Sequence, residues 1–239
     1  MRLEGQRIVI IGGSSGIGLE TARLAMAQGG VVTIAGRSED RLRRAAATLS
    51  GGERLRSVIA DVTDEASIAA LFAAESHVDH VFVPAGELRP GTANALTAEA
   101  ENMRSILEVR LLGVCHVVRH AKPIMQSGSI TLMSGLYASR PASGGAMAAA
   151  AVAAVEGMTR ALALDLAPIR VNAVAPGTID TPLWDTFGPD REAILSRGSK
   201  LPVGRIGKPE EIAEAVVFLM SNGFVNGIVL PVDGGGGLV

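Results

Sequence analysis

"IGGSSGIGLETARLA", residues 11–25, decides the fold. The apolar run 8–11 ahead of it reads as a strand, and residues 16–28 read as a helix. Gly12, Gly13, Gly16 and Gly18 fill the turn between them. A plain strand-to-helix turn rarely needs so many glycines. Missing Cβ atoms let the backbone approach a pyrophosphate, and a helix N-terminus favours its charge. A dinucleotide-binding unit is expected, with Ser14, Ser15 and Ile17 completing its cradle.

The same alternation continues outward from this unit. Residues 31–35, 55–60, 80–83, 129–133, 169–174 and the terminal "GIVLPV" read as strands. Residues 39–49, 65–75, 98–125, 146–167 and 209–221 read as helices. The strands are nearly all apolar, which suits parallel strands covered on both faces. The expected architecture is a Rossmann-type, doubly wound α/β domain over residues 1–239. It has a parallel sheet of about seven strands and helices on both faces.

Composition narrows the function classes. Hydrophobic residues make up 48% of the chain, charged residues 19% and aromatics 3%, so the core is aliphatic. Net charge is −2, with no basic block, so no nucleic-acid partner is expected. The lone Cys115 excludes an internal disulfide and reads as a small core hydrophobe. Arg2, Glu4 and Arg7 interrupt the N-terminus, so it does not read as a signal peptide. The alanine-rich run 146–154 falls short of the roughly 20 residues a bilayer requires, so no membrane partner and a cytoplasmic location are expected. His116 and His120 stand four apart, a spacing open to a metal pair. No third ligand matches them, so helix packing is expected and no metal. His77, Asp79 and His80 read as a solvated turn.

The end of the second strand selects the cofactor. It reads "IAGRS", with Gly36, Arg37 and Ser38 and no acid to hold a ribose 2′-hydroxyl. An Arg there welcomes a 2′-phosphate, so NADP(H) is favoured over NAD(H), against the alternative of a solvated surface Arg.

At this point the sequence resembles the classical short-chain dehydrogenase/reductase family over essentially its whole length. The residues that carry the resemblance are "GGSSGIG", "DVTD" at 61–64, "PAG" at 84–86, "RVNAVAPGTIDTPL" at 170–183, "GRIGKPEEIAEAVVFLMSN" and "VDGG". The resemblance implies that Asp61 and Val62 contact the adenine, and that Ala85 and Gly86 line the cofactor. Pro176, Gly177, Ile179 and Thr181 would sit against its nicotinamide half. It also implies an oxidoreductase acting on a carbonyl or alcohol through a Tyr, a Lys four residues later, a Ser and an Asn.

Aligned on "AAVEGMTRALA" at 153–163, those four positions hold Ala148, Val152, Gly135 and Arg110. In the asparagine pair ahead of the "AG" dipeptide, Val83 and Pro84 stand instead. Candidate substitutes are Tyr137 and Arg140, in the loop where substrate would approach, and Ser134, which strand alternation turns to the other face. Arg110 could fill space, bind an anion or pair with Glu108 or Glu87. By resemblance residues 184–200 cover the substrate pocket, and their Gly and Pro punctuation makes a mobile segment expected. The resemblance also implies a homodimer or homotetramer through the helices 101–125 and 146–167. Two readings follow: an oxidoreductase with altered or poor chemistry, or a cofactor-binding pseudoenzyme acting as a sensor or partner subunit. The small-molecule substrate or ligand is not named by the sequence.

Overall fold

In the computed structural model, which describes residues 2–84, 86 and 90–239, seven strands pair in parallel. They are β1 (Arg7–Ile11), β2 (Val31–Gly36), β3 (Leu55–Ile59), β4 (His80–Val83), β5 (Ser129–Met133), β6 (Arg170–Pro176) and β7 (Val229–Val232). Their order is β3-β2-β1-β4-β5-β6-β7. The central strand β1 shows why most of these strands are largely apolar. Ile8 and Ile10 enter the core on one face, and Val9 and Ile11 enter the core on the other.

Helices α1 (Gly16–Ala27), α2 (Glu39–Leu49) and α8 (Pro209–Ser221) cover the first face, and α1 packs along α8. Helices α3 (Glu65–Ala73), α5 (Gly113–Ala121) and α6 (Ala146–Asp165) cover the second. Helix starts follow local chemistry. Ser38 Oγ accepts from Arg41 N ahead of α2, and Asp64 Oδ1 from Ala66 N ahead of α3. Glu211 Oε2 accepts the Lys208 N–H at 2.8 Å, and Pro209 opens α8.

The single helical region expected over 98–125 is divided. Helix α4 (Ala100–Leu107) runs into a π-helical turn (Glu108–Leu112), then α5, then a 3-10 turn (Lys122–Ile124) that contains Pro123. Gly113 lets α5 approach closely: a Cβ there would lie 2.8 Å from Val62 Cβ.

The expected cover is built of helical turns, Pro182–Phe187, α7 (Asp190–Ser196) and Arg197–Lys200. Arg191 ties the segment to Asp180 at 2.8 Å and Asp185 at 3.0 Å, and Trp184 Nε1 donates to Ile179 O at 2.7 Å.

Three other expectations are corrected. Cys115 is exposed, because α5 turns Val114, Val117, Val118 and Ala121 inward and leaves it off that face. His80 is buried at 3% exposure, because β4 lies between β1 and β5. Helix α6 has 20 residues and is apolar enough, by length and composition, to cross a membrane. The nine-residue alanine run alone understates it. Here α6 is one layer of the sandwich, packed on β5 and β6 with Ala151, Val152, Val155, Thr159 and Ala163 buried.

The His80 Nδ1 lies 2.8 Å from Ser129 Oγ, and its Nε2 lies 2.8 Å from Gln6 Oε1. The amide oxygen only accepts, so Nε2 carries the proton and the neutral ring is satisfied at both nitrogens. Burial, reinforced by the charge of Arg170, pushes its pKa down from 6.5 to about 4. The unfolded chain therefore takes up a proton near pH 6.5 that the folded chain refuses until about 4. The stabilisation is complete above that window and is lost as pH falls through it, on the order of 3 kcal/mol in all. Urea unfolding at a series of pH values should show the parent losing more stability below pH ~6.5 than His80→Gln. Parallel curves for the two proteins would exclude this role.

Candidate functional site

Parallel pairing brings the C-terminal ends of all the strands to one edge. The chain winds in opposite directions from β1 and β4, which opens a crevice between them. The loops after β1, β2, β3, β4, β5 and β6 meet there, so the topology collects most of the residues that the sequence singles out.

The loop after β1 is shaped by missing side chains. Gly12 has φ +113° and Gly16 φ +52°, which L side chains rarely adopt. A Cβ on Gly18 would lie 2.2 Å from Gly12 O, so only glycine lets α1 sit this close to the loop. A Cβ on Gly13 would meet Ile34 Cγ2 at 2.7 Å. Ser15 supplies no side-chain cap to α1, and no acid stands in its first turn. Unlike α2 and α3, whose cap side chains accept a first-turn N–H, this helix leaves its first N–H groups open to an outside partner. Ser14, Ser15 and Ile17 are half-buried around them. These features fit a dinucleotide pyrophosphate.

The other cradle residues fall around this point. Arg37 and Ser38 follow β2, where Ser38 serves as the α2 cap. Asp61 Oδ1 accepts from Thr63 N and Thr63 Oγ1, each at 2.9 Å, fixing the turn after β3. Val62 is buried beside it. Thr181 lies over the start of α1, its Cγ2 3.3 Å from a Cβ position on Gly16. Pro176 ends β6, Gly177 packs on Asp233, and Ile179 bridges to Gly207. Gly86 follows β4; Ala85 and Glu87 lie outside the described residues.

On the β5 side of the crevice, Gly135, Ala148 and Val152 carry no polar side chain. Gly135 follows β5, and a Cβ there would lie 3.7 Å from Val152 Cγ1. Val152 is buried and Ala148 half-buried on α6. Ser134 is turned away, as alternation predicts. Its Oγ lies 3.0 Å from Glu156 Oε1 and 3.2 Å from Val152 O, buried under α6. Tyr137 Cε2 lies 3.0 Å from a Cβ position on Gly145, the residue ahead of α6. Arg140 is exposed.

Arg110 stands on the π-turn, its Nη1 donating to Met133 O at 3.3 Å and its guanidinium packed against Gly86. Burial draws its pKa below the usual arginine value. The paired expectation with Glu108 is not met: Glu108 is exposed, and Met133 O is the hydrogen-bond acceptor of Arg110 among the described residues. His116 and His120 both face Glu65, with Nε2 at 3.8 Å and 3.1 Å, and so join α5 to α3.

Glu156 was missed by the sequence reading. Its signal is visible in hindsight: it is the carboxylate within the interior of α6, four residues after Val152.

Residues 12–236 match the family model described as enoyl-(acyl carrier protein) reductase. The cis-4-hydroxycyclohexanecarboxylate dehydrogenase of Sinomonas cyclohexanicum is 37% identical, over 95% of this chain and 94% of its own. The chain belongs to the short-chain dehydrogenase/reductase family. A small-chain dehydrogenase solved in complex with NADPH superposes with TM-score 0.85 at 31% identity, covering 99% of this chain and 100% of that one. A short-chain oxidoreductase of Pseudomonas aeruginosa PAO1, described as containing an atypical catalytic center, superposes with TM-score 0.86 at 29% identity, covering 96% of each. Short-chain dehydrogenase/reductases are oxidoreductases that bind a nicotinamide dinucleotide, and the open start of α1 fits one here.

The seat of α1 gives a direct test. Gly18→Ala must push backbone from backbone, so thermal and urea unfolding should show a loss of about 1–3 kcal/mol. An unchanged midpoint would mean that the helix start is not held by this contact.

Proposed function

We propose that the crevice binds NADP(H) in preference to NAD(H), and that this chain is a cofactor-binding short-chain dehydrogenase/reductase whose proton-transfer set is replaced. The observation that carries the reading is the pair Ala148 and Val152 on α6, opposite Gly135. By resemblance these positions take Tyr, Lys and Ser. Bound NADPH supplies a hydride. Gly135, Ala148 and Val152 offer no proton to a carbonyl oxygen and no hydrogen bond to orient it. Acid catalysis of this kind is worth roughly 10²–10⁴-fold. The cofactor preference is supported by the residue types at the end of β2, where Gly36, Arg37 and Ser38 include no acid.

A second reading keeps an altered oxidoreductase. It is favoured by Tyr137, which lies against the residue preceding α6. We also propose a cytoplasmic homodimer or homotetramer built on α5 and α6. Ala150, Ala153 and Gly157 are exposed along α6, and Leu164 is 80% exposed. A concentration-independent monomer in light scattering would exclude the assembly.

Fluorescence titration should show NADPH binding more tightly than NADH, with Arg37→Ala costing about 1–3 kcal/mol toward NADPH alone. Equal affinities for both cofactors would remove the Arg37 argument. A broad panel of ketones and alcohols, followed by NADPH absorbance, should show no appreciable turnover. Robust turnover that vanishes in Tyr137→Phe would establish the second reading. Turnover that survives Tyr137→Phe and Arg140→Ala would place the acid elsewhere.

A further inference from the structure

Arg170 and Arg110 are both half-buried, and they differ in one respect. The Arg170 guanidinium is saturated by backbone: Nη1 donates to Leu219 O at 2.7 Å and Val225 O at 3.0 Å, and Nη2 to Met220 O at 2.7 Å. It closes the C-terminal turn of α8, a structural role that answers its charge with carbonyl dipoles. Other arginines reach carboxylates: Arg119 reaches Glu65, Arg205 reaches Glu211, and Arg191 reaches Asp180 and Asp185. Arg110 has neither arrangement among the described residues. Its hydrogen bond is the 3.3 Å contact to Met133 O, a long one to a neutral acceptor. Withdrawing a cation from water without an opposing charge is costly.

The position is not incidental. Arg110 rises from a π-turn, a rare backbone form often found at functional sites. The guanidinium is pressed onto Gly86, its Cζ 3.0 Å from a Cβ position there, at the ends of β4 and β5. That is the crevice itself. The π-turn packs on α6, the helix that carries Ala148 and Val152.

We propose that Arg110 is an anion-binding residue of the crevice and takes the carboxylate of a small organic acid. A guanidinium presents a planar fork that matches a carboxylate with two parallel hydrogen bonds. Gly86 against the guanidinium, and the alanine and valine of α6, bring no further charge, which suits a hydrocarbon body attached to a single charge. A phosphate dianion would call for more donors than this wall offers. The inference places an acidic ligand in the crevice assigned above to the cofactor, but it does not depend on the cofactor being bound.

Isothermal calorimetry on the full chain tests it, with benzoate against benzamide, acetoacetate against methyl acetoacetate, and inorganic phosphate as a third arm. Each titration is run without cofactor and again with NADPH. At least one carboxylate should bind about tenfold or more tightly than its neutral partner, the scale of one good charge-assisted contact. Arg110→Gln should abolish that preference, and Arg110→Lys should keep part of it. Thermal unfolding confirms that both variants fold.

Equal binding of acid and neutral partner by the parent would overturn the proposal, as would no binding of either acid. A preference that survives in Arg110→Gln would overturn it, and so would phosphate binding more tightly than both carboxylates. Binding that emerges only in Glu87→Gln would also overturn it, by showing an internal carboxylate on the guanidinium. A carboxylate preference measured without cofactor upholds the inference even if NADPH fails to bind, which separates it from the cofactor reading.

Discussion

The contact between Gly18 and the Gly12 carbonyl sets the rest of the molecule. It seats the first turn of α1 directly on the end of β1, the strand at the switch point of the sheet. Helix α1 then lies along α8, and the two close one core, while the open start of α1 faces the crevice. A single missing Cβ thus serves both packing and ligand reach. Helices α2 and α3, capped by the Ser38 and Asp64 side chains, have no such opening.

The fold was legible because its signals are local and repeated. Apolar strands such as 8–11 and 129–133 can be buried on both faces only in a parallel sandwich, and the glycines of the first turn fix where it begins. What was not legible depends on neighbours. His80 looked solvated beside His77 and Asp79, yet it enters a central strand and is sealed by Gln6 and Ser129, distant in sequence. Cys115 was read as core, and only the phase of α5 turns it outward. Residues 182–200 looked like a punctuated loop because the ties of Arg191 and Trp184 span several residues and leave no periodic pattern.

The site divides in the same way. The cradle was readable, since glycine positions and the end of β2 carry their chemistry in residue type. The surroundings of α6 were only half readable. Sequence shows that positions 135, 148 and 152 hold Gly, Ala and Val, but not what occupies the space around them. That Ser134 turns to Glu156, and that Arg110 lies on Gly86 at a π-turn, are facts of three-dimensional packing.

The composition of α6 has a thermodynamic side. An alanine loses no rotamer freedom when a helix forms and is the best helix former, whereas a lysine or tyrosine in a crevice gives up freedom and must have its polar end satisfied. With alanine at 146 and 148–151 and valine at 152, this stretch of α6 orders with little entropic penalty and leaves no side-chain donor or acceptor to desolvate. Active sites commonly hold residues that their own fold would be more stable without. In this chain that stretch of α6 stands at the stable end of that exchange.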